Sequence, residues 1–334
     1  MHITANTLDD LLRRVINKIL KSGNATEPSR GKTNELIGVL LEITDPRARL
    51  SRTEGRSLLF GGLGELLWYL AGSKQLSFIR YYLPRYSEES DDGRTVHGAY
   101  GPRFFKMRGI NQIQNVLDLL KNRPASRRAV IQLFDATDIE DIAHEHKNIP
   151  CTCTLQFMVR HGRLHMFTSM RSNDVFLGLP HDLFTFTMLQ EIIARTLGVE
   201  LGKYKHAVGS LHIYEKDRGK AEQFLKEGWQ ASVLMPSMPL EDPWKSIRKV
   251  LKAERAVRHN RGINIGRLGL EAYWEDIVRL LQIYSYAKKA NADKIARLKK
   301  MMSSRIYDVY IEKKKQKATL QRVKRTKPIQ EQLF

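Results

Sequence analysis

The chain has 334 residues, of which 42% are hydrophobic, and a formal net charge of +20. This length is sufficient to bury a substantial core in one large domain or two. No apolar run approaches about 18 residues, which argues against a membrane-spanning helix. The N-terminal residues lack the pattern of a signal peptide, and two cysteines two residues apart form no disulfide framework. We therefore expect a cytoplasmic protein in a reducing compartment.

The positive charge is concentrated in the C-terminal quarter. Residues 245–334 contain 24 Lys and Arg against 8 Asp and Glu, a net charge of +16. Three prolines within residues 235–243 mark a boundary, so we predict one domain over residues 1–243 and a basic helical extension over residues 244–334. Such an extension favours nucleic acid or another polyanion as a partner. The alternative is a solvated lysine-rich helical face.

The N-terminal third begins with a clear helical pattern. Leucine, valine and isoleucine recur at helical spacing over residues 8–20, with Thr7 as N-cap and Gly23 past the end. Residues 24–33 are polar and predict a loop, whereas residues 36–43 are apolar and predict a strand.

The middle of the chain alternates between helices and strands. A helix is predicted to begin at Glu65, after the glycines at 61, 62 and 64, and a second helix covers residues 110–120. Residues 80–94 are polar and predict irregular structure, and residues 129–134 predict a strand.

A hairpin and a long helix follow. Residues 152–159 and 163–170 are rich in β-forming residues and flank His161-Gly162, which is typical of a hairpin turn. Residues 183–197 predict an apolar helix closed by Gly198. Strand pairs mixed with long helices indicate an α+β protein rather than a doubly wound sheet.

The extension reads as helical throughout. Periodicity predicts helices over residues 246–258, 270–287 and 293–317, and the last seventeen residues are predicted to be disordered.

Cys151 is the first candidate for chemistry. A single cysteine is more often a small buried hydrophobe than a nucleophile. A metal site also has to be considered, because His144 and His146 precede Cys151 and Cys153 within ten residues. The spacings H-x-H and C-x-C are not those of structural zinc sites, and no second cluster supports them. We therefore predict no metal site.

Four motifs in order resemble the thymidylate synthase family. They are Pro150-Cys151-Thr152-Cys153, Arg171-Ser172-Asn173-Asp174, Gly178-Leu179-Pro180 and His212-Ile213-Tyr214. The resemblance covers roughly residues 8–214 and is specific in combination. It implies a mixed sheet with packed helices, and a homodimeric enzyme with shared active sites. Members of the thymidylate synthase family add a one-carbon unit from 5,10-methylenetetrahydrofolate to C5 of a pyrimidine nucleotide, and the resemblance implies the same reaction here.

The resemblance implies a catalytic role for each of four residues. Cys151 attacks C6 of the pyrimidine, because C5 is a poor nucleophile until a thiolate adds at C6. Arg171 lowers the pKa of that thiol and contacts the nucleotide phosphate. Glu65 shuttles protons through ordered water, with a raised pKa. Tyr100 helps to order the same network. Alone, Glu65 would be interpreted as a charge complementing a helix dipole.

Other matched positions imply nucleotide and folate contacts. Arg30 would bind the phosphate from one subunit, and Arg127 and Arg128 would bind it from the partner subunit. Arginine suits this role because its planar guanidinium can donate two hydrogen bonds to a phosphate dianion. Without the resemblance, Arg127 and Arg128 would be a surface pair ahead of a strand. The remaining assignments are Ser172 to the phosphate, His212 and Tyr214 to the sugar 3′-hydroxyl, and Asp174 to the pterin ring of folate.

Asp182 departs from the family pattern, because it stands where the uracil-reading members carry asparagine. Cytosine presents N3 as an acceptor and N4–H₂ as a donor. A carboxylate accepts from N4–H₂ and, once protonated, also donates to N3. The same exchange marks the deoxycytidylate hydroxymethylase branch of the family, so the resemblance favours cytosine. The alternative is that Asp182 is turned away from the base.

Further departures bear on the outcome of the reaction. Thr152 replaces a family histidine, Met170 replaces a glutamine, and residues 85–90 replace the tryptophan loop that packs on folate. The short tail that closes over folate is not recognisable. Hydride transfer to a C5 methylene group needs water excluded, whereas a wetter site favours addition of water. We therefore favour hydroxymethylation.

The sequence thus predicts conversion of dCMP to 5-hydroxymethyl-dCMP. The alternatives within the class are thymidylate synthase activity on dUMP and C5 methylation of dCMP. An alternative from another class is a nucleic-acid-binding regulatory protein with a vestigial nucleotide site, suggested by tyrosines and tryptophan interleaved with cations in the extension.

Overall fold

A computed structural model describes residues 1–28, 30–53, 58–140 and 146–326. The chain divides into two compact units, Met1–Pro243 and Trp244–Phe334. Where the structure describes the chain, no helix is long and apolar enough to cross a membrane.

The first unit is built on a seven-stranded mixed sheet. Its strands are β1 (His2–Ala5), β2 (Asn24–Thr26), β3 (Thr33–Ile43), β4 (Val130–Gln132), β5 (Thr152–Arg160), β6 (Arg163–Asp174) and β7 (Glu200–Tyr214). The main order is β1-β3-β7-β6-β5-β4, and β2 pairs with β3. The pairs β1–β3 and β6–β7 are parallel and the others are antiparallel. The predicted α+β mixed sheet is confirmed.

The two faces of the sheet differ in burial. Along β6, buried Leu164, Met166 and Thr168 alternate with half-exposed His165 and Phe167. Successive side chains of a strand point to opposite faces, so one face lines the core and the other is partly open within this chain.

Seven α-helices pack in the first unit. They are α1 (Leu8–Ser22), α2 (Leu58–Leu70), α3 (Leu76–Tyr82), α4 (Tyr100–Lys106), α5 (Gln112–Asn122), α6 (Gly178–Leu197) and α7 (Arg218–Lys226), all within the described residues. Helix α1 follows its predicted pattern, because the Thr7 side chain accepts a hydrogen bond from the Asp10 N–H at 3.1 Å. Gly198 closes α6 in the left-handed conformation, as predicted.

The predicted hairpin between β5 and β6 is also confirmed. His161 and Gly162 have φ values of 49° and 69°. Positive φ at both turn positions matches the twist of the flanking strands.

The structure corrects three local predictions in this unit. Gly61 lies inside α2 rather than before it, and a Cβ there would meet the ring of His181 at 2.7 Å. Glycines therefore let α6 approach the backbone of α2. Residues 24–26 form a short strand rather than a loop, because they pair with β3. The segment predicted to be irregular contains the end of α3 and the 3-10 turn Pro84–Glu89.

The second unit is helical, with α8 (Pro243–Arg258), α9 (Ala272–Lys288), α10 (Ala292–Lys300) and α11 (Asp308–Thr326). The single helix predicted over residues 293–317 is wrong. The chain leaves α10 near Met301, and the N–H groups of Ser303 and Ser304 bond to the carboxylate of Asp276. Disorder from residue 318 is also wrong as far as Thr326, where α11 ends. Residues 327–334 lie outside the described part of the chain.

Candidate active site

Strand pairing brings distant parts of the sequence to one end of the sheet. Cys151 directly precedes β5, and Thr152 pairs with Met170 on β6. Further along β6, Ser172 pairs with Ser210 and Asp174 with His212 on parallel β7. Tyr214 then pairs with Thr33 at the start of β3. The cysteine, the Arg-Ser-x-Asp motif and the His-x-Tyr motif therefore meet.

Arg171 holds the turn that carries Cys151. Its backbone N–H donates to the Cys151 carbonyl at 2.9 Å, and its guanidinium donates to the carbonyls of Pro150 at 3.0 Å and Ile149 at 3.2 Å. Burial raises the pKa of the Cys151 thiol, and the positive charge of Arg171 opposes that rise. The lowered pKa expected for this thiol is thus wrong in this structure, because burial dominates and the guanidinium is engaged with the carbonyl oxygens.

Glu65 lies on α2 and is almost fully buried. Its Oε1 accepts hydrogen bonds from Tyr86 at 2.7 Å and from Tyr69 at 3.1 Å. Burial would raise the pKa of Glu65, but His181, Tyr86 and Arg85 together lower it below its usual value. The raised pKa predicted for this carboxyl is therefore wrong.

Asp182 has the opposite character. It lies in the second turn of α6, where its Oδ2 accepts a hydrogen bond from Asn173 at 2.6 Å. Burial and the negative charge of Glu65 raise the pKa of Asp182 to about 8, against the opposing Asn173 bond. Asp182 is therefore mostly protonated at neutral pH. The carboxyl can then donate one hydrogen bond and accept another, as a cytosine edge requires.

Tyr100 joins the two sides of the site. Its hydroxyl accepts a hydrogen bond from the Thr152 N–H at 3.1 Å, next to Cys151. Its ring packs on Tyr69 with centroids 5.0 Å apart. Burial raises the pKa of Tyr100, so its hydroxyl keeps its proton.

Arg30 lies at the same end of the sheet. In this structure its guanidinium forms a two-pronged ion pair with Glu89, with both N–O distances at 2.8 Å. The Glu89 bond raises the pKa of Arg30 despite partial burial, and the charges of Tyr214 and Cys151 act in the same direction. Arg30 is therefore near both the thiol and the predicted sugar-binding tyrosine.

The predicted sugar and folate residues adjoin each other. Both oxygens of Asp174 accept backbone N–H groups, from Phe176 at 2.8 Å and Leu177 at 3.2 Å. His212 packs edge-on against Tyr214 at 5.1 Å between ring centroids. Burial raises the pKa of Asp174, and His212 opposes this. Ser172 is half-buried on β6 beside this group.

Arg127 and Arg128 do not join the site within one chain. Both are exposed and precede β4, the strand at one edge of the sheet. The backbone carbonyl of Arg127 accepts a hydrogen bond from Gln156 at 2.9 Å.

Sequence reasoning missed four residues that contact the predicted carboxylates. Tyr69 and Tyr86 bond to Glu65, Asn173 bonds to Asp182, and His181 Nδ1 lies 3.4 Å from Glu65 Oε2. Two of these carried a usable signal, since Tyr69 is one helical turn after Glu65 and Asn173 lies inside the Arg-Ser-x-Asp motif. Tyr86 belongs to the segment noted only as a departure.

The family model described as thymidylate synthase matches residues 11–255 of this chain. The chain belongs to the thymidylate synthase family. The predicted resemblance is thereby confirmed, and the matched residues include every position that was predicted to be catalytic or to bind the nucleotide.

Relatives within the thymidylate synthase family bear two kinds of name. A deoxyuridylate hydroxymethyltransferase of Delftia phage PhiW-14 is 33% identical over 216 residues, covering 61% of this chain and 60% of the relative. A protein of the same name from Bacillus phage SP01 is 30% identical over 217 residues, covering 61% and 56%. A thymidylate synthase of Corynebacterium aurimucosum is 30% identical over 212 residues, covering 62% and 76%. The match thus spans less than two thirds of either phage relative.

The described residues of this family member contain no cluster of three or more metal-ligating side chains. His144 of the considered metal motif lies outside them. His146 instead pairs with Asp91 at 2.8 Å and stacks on His97. Cys151 and Cys153 are free thiols.

Proposed function

We propose that this protein hydroxymethylates C5 of a pyrimidine deoxynucleotide monophosphate, with dCMP as substrate and 5-hydroxymethyl-dCMP as product. One observation carries the choice of base: Asp182 stands at the position that the family resemblance assigns to base recognition, and burial raises the pKa of its carboxyl to about 8. Asp182 also lies close enough to Cys151 for its ionised form to raise the pKa of the thiol.

The chain's own residues account for activation of the base. The Cys151 thiolate adds to C6, and the electron pair of the C5–C6 double bond makes C5 nucleophilic. Methylenetetrahydrofolate supplies the one-carbon unit when bound. Arg171 and Arg30 stabilise the thiolate and bind the phosphate, so phosphate binding would release Arg30 from Glu89. A dianion competes well for a guanidinium that is half exposed.

The base is read by the pair Asn173 and Asp182. The Asn173 amide holds Oδ2 as an acceptor, which favours the proton on Oδ1. A neutral carboxyl then donates to cytosine N3 and accepts from N4–H₂. Against uracil the same group would leave a polar edge unpaired, at a cost of about 1–3 kcal/mol.

Two observations favour addition of water to the C5 methylene group over transfer of hydride. Two phage relatives are named hydroxymethyltransferases. In addition, the Glu65 carboxyl, whose pKa is lowered, and the Tyr86 hydroxyl that bonds to it supply polar partners for a nucleophilic water. Both relatives are named for deoxyuridylate, so cytosine specificity in this chain depends on Asp182.

Asp174 is suited to accept hydrogen bonds from the pterin ring of folate. Its two oxygens are fixed by the N–H groups of Phe176 and Leu177, each keeping a lone pair, and the side chain is half-exposed in the site. A fixed acceptor of this kind suits the amino groups of a pterin. Asp174 would orient the co-substrate and take no part in base reading. A catalytic thiol suits a reducing, cytoplasmic compartment.

Release of tritium from C5-labelled dCMP and dUMP separates this proposal from thymidylate synthase activity, the function named for the corynebacterial relative. We expect release from dCMP in the presence of methylenetetrahydrofolate. Release from dUMP alone would contradict the cytosine assignment.

Binding of dCMP should depend on the charge of Asp182. Its pKa of about 8 lies above the usual carboxyl value, so the group is neutral below pH 8 and ionised above it. The donor to N3 is lost on ionisation, so affinity for dCMP should fall as the pH rises above about 8, by roughly 5- to 150-fold in total, the equivalent of about 1–3 kcal/mol. Calorimetric titration at pH values below and above 8 checks this. An Asp182→Asn variant should show a flat profile over the same range.

We also propose a homodimer formed through the partly open face of the sheet. Half-exposed Met158 and Phe167 lie on this face of β5 and β6, and exposed Arg127 and Arg128 flank the adjoining edge strand. An exposed apolar sheet face is typical of an interaction surface. A second copy of the chain packed on this face would bring the two arginines to the partner's phosphate site.

Mixing two inactive variants tests the shared site. Cys151→Ser and the double variant Arg127→Ala/Arg128→Ala should each be inactive alone. After subunit exchange, half of the dimers are mixed and each has one complete site, so activity should recover to about one quarter. No recovery, with subunit exchange verified by mass, would contradict a shared site.

The basic extension is proposed to bind a polyanion, with single-stranded nucleic acid as the first candidate. Lys288 and Lys314 lie 5.7 and 5.1 Å from the Tyr284 ring centroid. Burial and the nearby charges of Lys317 and Lys288 lower the pKa of Lys314 to about 8. We expect Lys288→Gln/Lys314→Gln to weaken salt-dependent oligonucleotide binding. The charge-matched control Lys245→Gln/Lys252→Gln, on exposed positions of α8, should bind as the wild type.

A further inference from the structure

Two carboxyl groups share the site but differ in charge. Glu65 is held below its usual pKa and Asp182 well above it. Such a division assigns opposite roles to neighbouring carboxyl groups, one as a base and the other as a neutral donor. A group near Glu65 must therefore offset the burial that would otherwise neutralise it.

His181 is placed to do this. Its Nδ1 lies 3.4 Å from Glu65 Oε2, and the two side chains are 8% and 5% exposed. Neither atom has a hydrogen-bond partner among the described residues. Two buried polar atoms that face each other without a bond are costly, and a small rotation of either side chain would join them.

The space for His181 is provided by α2. Gly61 has no side chain, and a Cβ there would lie 2.7 Å from the imidazole Cε1. The ring is thus held against the helix that carries Glu65, one turn away from it. His181 also directly precedes Asp182 on α6. One segment of α6 therefore supplies both the partner of Glu65 and the residue that reads the base.

We propose that His181 is a positioning residue that donates from Nδ1 to Glu65 Oε2 and so maintains Glu65 as the base that activates water. This deepens the proposed function and rests on it. Glu65 takes a proton from water as the water oxygen bonds to the methylene carbon on C5. The electron pair of that exocyclic double bond then restores the C5–C6 double bond and expels the Cys151 thiolate from C6.

Other charged and titratable groups also act on Glu65 and limit how far removal of His181 can change its pKa. They are Tyr69 on α2, Arg85 and Tyr86 in the 3-10 turn, and Asp182 on α6, while Tyr100 on α4 packs on Tyr69. The two tyrosine hydroxyls bond to Oε1, and His181 is the group that faces Oε2. Removing the imidazole should therefore leave burial dominant at Glu65.

Three variants of His181 test the proposal in the full chain. His181→Phe and the smaller His181→Leu remove the donor, whereas His181→Asn keeps an N–H near the position of Nδ1. Infrared spectra can follow the carboxylate band of Glu65, identified as the band that Glu65→Gln removes. We expect this band at neutral pH in the wild type and in His181→Asn, and its loss in His181→Phe and His181→Leu.

Turnover gives a second readout. The acid limb of kcat should move to higher pH in His181→Phe and His181→Leu, with kcat about tenfold lower on that limb and KM for dCMP unchanged. An unchanged carboxylate band in both donor-free variants would overturn the proposal. The infrared measurement needs no turnover, so the two proposals can fail separately. If only the proposed reaction is wrong, the carboxylate band still changes in the donor-free variants but no product forms.

Discussion

Replacing Cys151 by serine should lower kcat for dCMP on the order of 10⁴-fold or more. A serine hydroxyl ionises far less readily than a thiol and is a poor nucleophile without an adjacent base. The phosphate contacts proposed for Arg171 and Arg30 do not involve the thiol itself. Binding of dCMP should therefore be nearly unchanged in calorimetric titrations, while product formation is lost.

Cys153 provides a matched control. It lies two residues away on β5, is also a free thiol, and is half-buried. Burial raises its pKa, and the Arg171 backbone opposes this only in part. Cys153→Ser should retain kcat within a few-fold. Comparable loss of activity in both serine variants would contradict the assignment of Cys151 as nucleophile.

Asp182→Asn should reverse the choice of base. An amide donates to uracil O4 and accepts from N3–H, so it pairs with uracil as the neutral carboxyl pairs with cytosine. We expect the ratio of kcat/KM for dUMP to that for dCMP to rise about 10³-fold. Competition between the two nucleotides in one reaction, read by chromatography, measures this ratio directly.

Asp174→Asn makes the same chemical change eight residues earlier. Asp174 is proposed to orient folate, and its bonds run to the N–H groups of Phe176 and Leu177 rather than toward the base. Its replacement should lower turnover of both nucleotides and leave their ratio unchanged. An equal change of ratio in both variants would show that Asp182 does not read the base.

Local patterns predicted the elements that depend on nearby residues. Helix α1 has its N-cap three residues from the bonded N–H group, and the β5–β6 hairpin is determined by His161-Gly162. Sequence patterns placed the glycines of α2 before the helix, because glycine usually interrupts helices. Within the helix they allow close contact with α6. A Cβ at Gly61 would meet His181, which is remote in sequence. Close approach between helices leaves no local signature in either one.

Family motifs predicted that Glu65, Cys151 and Asp182 belong to one site, and the fold brings these residues close together. The expected pKa directions of Glu65 and Cys151 were wrong. Each depends on burial and on partners from separate elements, such as Tyr86 in the 3-10 turn and His181 on α6. Arg30 likewise meets Glu89 across 59 residues of sequence. Such pairs become visible only when the fold brings them together.

Mass spectrometry of the products tests the central claim most directly. The protein is incubated with methylenetetrahydrofolate and either dCMP or dUMP, and the nucleotide masses are measured. Hydroxymethylation predicts a gain of about 30 Da on dCMP, the mass of one CH₂O unit. A gain of about 14 Da on dUMP, with dCMP unchanged and dihydrofolate formed, would identify methylation of uracil and contradict both the base and the reaction proposed here.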